Sequence, residues 1–176
     1  MLRVTQNLAV DIGRFDATLY ALILPMGLRV ERVNLTGSNL TVVHEPFSAS
    51  VEEPGRLEVF VAEKDMADFL NQTSPAGLKN VTVEAKEGML HIRATKTVLI
   101  EIKAYVVCSL RIVESTKLFV DIQSVDVMGV GTKQLMQTQI DKINPIIDTR
   151  DFPVKATLDT IEVTKGGILL RGRVSP

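Results

Sequence analysis

The sequence predicts an α+β fold in which long, strongly twisted antiparallel strands wrap around amphipathic helices. Three observations carry that reading. Val98, Ile100, Ile102, Ala104, Val106, Cys108, Leu110 and Ile112 alternate without a break, the pattern of a strand. At roughly 3.3 Å per residue the run spans on the order of 50 Å, and a strand that long must coil with the sheet twist. The stretches "LKNVTVEAKEGMLHIRATKT" (78–97) and "TLDTIEVTKGGILLRGRVSP" (157–176) alternate, turn at glycine, and alternate again with arginines on the way out. Each follows a segment of helical period, so the repeat length switches from 3.6 to 2 twice in one chain. Finally, 45% of the residues are hydrophobic but only 5% are aromatic and none is tryptophan, so the apolar mass is aliphatic and suits strands.

The elements follow in order. Leu8 to Ile12 alternates and opens a strand. Leu28 and Val30 share one phase, Val33 and Leu35 the other, which predicts a bulge at Glu31-Arg32. Thr36-Gly-Ser-Asn39 is turn chemistry, and with Leu40 to Val43 returning, 28–43 reads as a hairpin. A turn at Glu52 to Gly55 leads to a strand with Leu57, Val59 and Val61 on one face. Met66, Phe69 and Leu70 then fall at helical spacing. Glu63 and Asp65 occupy the first turn, where the helix dipole favours acids, and Pro75-Ala-Gly77 ends the helix. The hairpin 81–95 and the long run 98–112 follow. After a turn at Glu114 to Lys117, Leu118, Val120 and Ile122 return, and the phase slips at Gln123-Ser124, a second predicted bulge. Met128-Gly-Val-Gly131 reads as a flexible connector. Met136, Ile140, Ile143 and Ile147 form the stripe of a second helix, with Lys133, Gln137, Asp141 and Lys142 on its wet face. Asn144 and Pro145 predict a kink or a fresh start within it. The hairpin 160–174 closes the chain. The length fits one domain, 1–176, with an internal helix–hairpin repeat at about 64–95 and about 132–174.

Composition removes several function classes. A net charge of −1 supplies no basic field for nucleic acid, and the chain is short of rings on which bases stack. The single cysteine, Cys108, allows neither an intramolecular disulfide nor a multi-cysteine zinc site. Inside an apolar alternation it reads as a buried, inert thiol. His91 points opposite to Leu90 and Ile92 and is expected at the surface, as is His44 at a strand end. No G-x-S-x-G, H-E-x-x-H or phosphate-loop frame is present. The turn acids Glu52, Glu53, Asp148 and Asp151 are expected to be solvated or capping, and Asn34, Asn39, Asn71 and Asn80 fit the N-x-[ST] pattern only formally. No catalytic residue, metal ligand or cofactor is therefore expected. The greasiest run, Leu19 to Pro25, is far below the ~20 residues of a membrane span. The first ten residues carry no basic-then-apolar leader, so the expected location is the cell envelope if a leader precedes them and the cytoplasm otherwise.

What remains is an excess of aliphatic surface on long strands beside greasy helices. Ligand sites for apolar molecules need few polar groups, so an elongated groove for acyl chains would leave no motif. Its walls would be Met66, Phe69 and Leu70 of the first helix, Met136, Ile140 and Ile143 of the second, and Ile100, Ile102 and Val106 of the long strand facing them. The expected function is non-enzymatic binding of a phospholipid or similar amphiphile, with room for peripheral membrane contact and no fixed oligomeric state. The competing readings are a β-rich scaffolding module with a closed core and no ligand, and an enzyme with an unfamiliar site.

The order of "GRFDATL" (13–19), "LRVERVNLTGSNLTVV" (28–43), "VFVAEKDMADFLN" (59–71), "VTVEAKEGMLHIRAT" (81–95), "LRIVESTKLFVDIQSVDV" (110–127) and "FPVKATLDTIEVTKGGILLRGRV" (152–174) resembles the LmeA-like bacterial phospholipid-binding family. That resemblance covers nearly the whole chain as pattern and order. It implies a tubular lipid-binding (TULIP-like) architecture, with a helix lying in a strongly curved half-barrel sheet, and a role in cell-envelope maintenance. It supplies no ligand residues by position.

Overall fold

A computed structural model describes residues 9–43, 48–97, 101–127, 133–152 and 154–175. Every pairing between described strands is antiparallel. The N-terminal strands are β1 (Ala9–Ile23), β2 (Arg29–Val43), β3 (Ser48–Val51) and β4 (Gly55–Ala62). Helix α1 (Glu63–Thr73) follows, then β5 (Lys79–Lys86), β6 (Met89–Thr97), β7 (Glu101–Val113) and β8 (Lys117–Val127). Helix α2 (Lys133–Asp141) precedes the short β9 (Ile147–Asp148), and β10 (Ala156–Thr164) and β11 (Gly167–Val174) end the chain. Sheet A runs β1-β2-β4-β11-β10 with β3 also on β2, and sheet B runs β5-β6-β7-β8-β9. Sheet B is a curled half-barrel around the helices, the α+β architecture that the alternation predicts.

The long strand behaves as its period requires. Within β7, Ala104, Val106 and Cys108 are buried, while Glu101, Lys103 and Arg111 are exposed. Residues 98–100, including Val98 and Ile100, lie outside the described residues, as do His44 and the connector 128–131. The slip expected at Gln123-Ser124 is real: Val107 pairs with Ser124 but Cys108 pairs with Ile122, so Gln123 is the extra residue. Both glycine hairpins form, with Gly88 and Gly166 at positive φ. Their outgoing arginines make cross-strand ion pairs on the wet face: Arg93 with Glu84, Arg171 with Glu162, and Arg173 with Asp159.

Three expectations are corrected. Residues 29–43 are not a hairpin but one strand, paired with β1 in a single register from Ala9–Val43 to Ile23–Arg29. Thr36-Gly-Ser-Asn39 lies inside it because Gly37 gives β4 and the Phe15 ring room to approach; a Cβ there would press on both Phe15 and Gly55. Glu31-Arg32 holds no extra residue. Val30 and Val33 are both buried because the two strands change phase together, with Ala21 at φ 58 opposite Glu31. The stripe of α2 ends early: the helix stops at Asp141, and Ile147 lies in β9 opposite Leu118. Pro145 has no N–H to continue the helix, and the amide of Asn144 is engaged by β8. Asp148 is buried and caps the 3-10 turn Thr149–Asp151, accepting from the Arg150 N–H at 3.0 Å, one of the two roles expected of the turn acids.

The apolar faces of both sheets and both helices join one core. Helix α1 lies between the sheets, touching β5 on one side and β2 and β4 on the other. Helix α2 packs on β8 and on the 3-10 turn at Pro75–Gly77, both on the sheet B side. The two helix–hairpin units thus diverge: the hairpin after α1 belongs to sheet B, and the hairpin after α2 to sheet A.

Candidate functional site: the seam between the helices and sheet B

Helices α1 and α2 close the hollow of sheet B by the same device. Asn71 of α1 accepts a hydrogen bond from the Val81 N–H at 2.8 Å and donates to the Val81 carbonyl at 3.0 Å. Asn144, just beyond α2, accepts from the Val120 N–H at 3.0 Å and donates to its carbonyl at 2.9 Å. Each side-chain amide stands in for the next strand's peptide. Glu63 accepts from the Ala85 N–H and Gln137 from the Ile122 N–H, both at 2.8 Å. Strand β5 is one edge of sheet B, and Val120 and Ile122 of β8 lie beyond its two-residue pairing with β9. Backbone groups that would otherwise be unpaired beside a core are thereby satisfied.

Between the helices and the sheet lie two small apolar cavities. One, of about 30 Å³, is lined by Leu28, Met66, Phe69, Leu70, Val83, Leu90, Ile92, Val120, Ile140, Ile143 and Ile146. The other, of about 20 Å³, is lined by Leu70, Pro75, Leu78, Val81, Ile92, Val106, Cys108, Ile122, Met136 and Ile140. Leu70, Ile92 and Ile140 belong to both, so the voids are two parts of one seam. The structure brings together Met66, Phe69, Leu70, Val106, Met136, Ile140 and Ile143 from the predicted groove. Ile102 is half-buried and lines neither cavity, and Ile100 lies outside the described residues. Ile92, Val120 and Ile122, which the sequence reading missed, come from the strands flanking β7. Their alternation was legible, but sheet order was needed to place them beside the helices.

The electrostatics of the seam are set around it rather than in it. Asp65, 3% exposed on the α1 side facing β2, receives hydrogen bonds from Arg29 at 2.7 and 2.9 Å. Burial pushes the Cys108 thiol up to about 12, with Asp121 adding to the shift. The thiol is therefore protonated at neutral pH and is no nucleophile. His91 is on the face expected, opposite Leu90 and Ile92, but it is buried rather than at the surface. Its Nδ1 lies 2.5 Å from the Tyr105 hydroxyl, and Nε2 has no hydrogen-bond partner. Among the described residues no three His, Cys, Asp or Glu side chains gather as a metal site would require. No helix among them is long and apolar enough to cross a membrane.

Two larger hollows, of about 850 and 650 Å³, open on the surface. The first is lined by Arg14, Asp16, Ser38 and Arg56 among others, the second by Arg93, Lys103, Tyr105 and Asp126 among others. Comparison with protein-family models, curated proteins and solved structures finds no match.

Proposed function

We propose that the protein binds a phospholipid or similar amphiphile, without catalysis, in the seam between its two helices and the hollow of sheet B. The observation that carries this reading is the pair of wholly apolar cavities sharing Leu70, Ile92 and Ile140. As they stand, each has about the volume of one water molecule, so an acyl chain enters by displacing a helix. Helix α2 is the element suited to move, because its main packing is on β8 and the Pro75–Gly77 turn, whereas α1 is held by β5, β2 and β4. Met66 and Met136, on opposite helices, are unbranched and re-pack around a chain of variable shape. Each buried methylene contributes about 0.8 kcal/mol, so two chains bind without an ionic contact. A TULIP-like, LmeA-like lipid carrier of the bacterial cell envelope is the form this proposal takes, with peripheral membrane contact during loading.

The second reading is a β-rich scaffolding module with a closed core, and the small size of the cavities favours it. Native mass spectrometry of protein purified from a lipid-containing host separates the two. The lipid reading expects an adduct of phospholipid mass that Ile140→Glu removes while the fold persists. A folded protein that carries no lipid and takes none from vesicles establishes the scaffold.

A further inference from the structure

Strand β1 is the open edge of sheet A: among the described residues it pairs with β2 alone. Its exposed side chains include Ile12, Leu19, Tyr20 and Ile23, the last two about 70% accessible. A long edge carrying apolar groups invites another strand. Arg14 and Asp16 are exposed and have no ion-pair partner among the described residues. Because Ala17 and Leu19 pair with the buried Leu35 and Val33, residues 14, 16 and 18 share the outward face.

We propose that β1 pairs antiparallel with β1 of a second copy, with Phe15 on the two-fold axis. Arg14 then faces Asp16 of the other copy, twice. The charges select this register. A slip of two residues sets Arg14 against Arg14 or Asp16 against Asp16, and a slip of one exchanges the faces. The interface is isologous and continues sheet A across both molecules. It leaves the lipid seam untouched and stands independently of the proposed function.

Sedimentation equilibrium of the whole chain, from low to high micromolar concentration, tests it. The parent forms a dimer. Asp16→Arg weakens the dimer about thirty-fold, because two attractions become two repulsions. The double variant Arg14→Asp with Asp16→Arg restores it to within about threefold. Both positions are exposed, so the fold is not at stake. A parent that stays monomeric throughout overturns the proposal. So does a single variant that dimerises like the parent, or a double variant that remains monomeric.

Discussion

Helices α1 and α2 do the same work at opposite edges of one sheet, yet they are held differently. Each clasps a backbone through an asparagine amide, Asn71 on Val81 and Asn144 on Val120. Helix α1 is also gripped from the far side by β2 and β4, with Asp65 tied to Arg29. Helix α2 packs on sheet B and the turn before it. The difference teaches that closing a hollow and anchoring a helix are separate tasks. A helix held mainly by one sheet can seal an edge and still leave it.

The largest test of this asymmetry compares two identical deletions. Met66 and Met136 are both buried and each lines one cavity. Met66→Ala is expected to cost about 3–4 kcal/mol and Met136→Ala about 2 kcal/mol, since a site enclosed from both sides relaxes less around the void. Urea midpoints measure both; equal costs would mean that α2 is as tightly enclosed as α1. Next comes the ionic tie. Arg29→Met leaves the nearly inaccessible Asp65 carboxylate without its partner, a loss of about 2–3 kcal/mol, and the damage should appear as faster amide exchange in α1 while α2 is unchanged. Equal acceleration in both helices would count against separate anchoring.

Removing one clasp is expected to cost less. Asn144→Leu strips two hydrogen bonds from Val120, about 1–2 kcal/mol. It should raise lipid uptake from vesicles if α2 is the moving element, whereas Asn71→Leu should not. The smallest effect concerns Asp148, behind α2. The side-chain hydrogen bond from Arg150 holds its carboxyl below the usual carboxylate range, against the opposing cost of burial. A depressed folded pKa contributes stability above the unfolded value and loses it as pH falls through the folded one. Asp148→Asn should therefore lose less stability than the parent as pH falls from about 5 through the lowered folded value. Parallel curves would show that this pair contributes nothing.

Much of this was legible in the residues, because period is a local property. The spacing of Met66, Phe69 and Leu70, and the alternation through Val106 and Cys108, named most of the seam before the sheet order was known. What was not legible depends on neighbours. Thr36-Gly-Ser-Asn39 has turn chemistry, but β1 flanks it on one side and β3 and β4 on the other, and tertiary pairing overrides the local signal. His91 faces the expected way, but Tyr105 of the next strand reaches its ring. Asn71 looked like a formal glycosylation match and Asn144 like part of a kink or fresh start in a helix. Their use as substitute peptides appears only when an unpaired edge stands opposite.

The strand order of sheet A has a consequence for how the chain is made. Strand β4 pairs with β11, so strands separated by the whole of sheet B in the chain meet in one sheet. Sheet B is drawn from a contiguous stretch, β5 to β9. During synthesis from the N-terminus, sheet B has all its strands before β10 and β11 have emerged. The early strands β1 to β4 must wait beside it, with the edge of β4 that pairs with β11 still open. Emergence of β10 and β11 is then the event that completes sheet A, and loss of β11 would leave β4 paired with β2 alone.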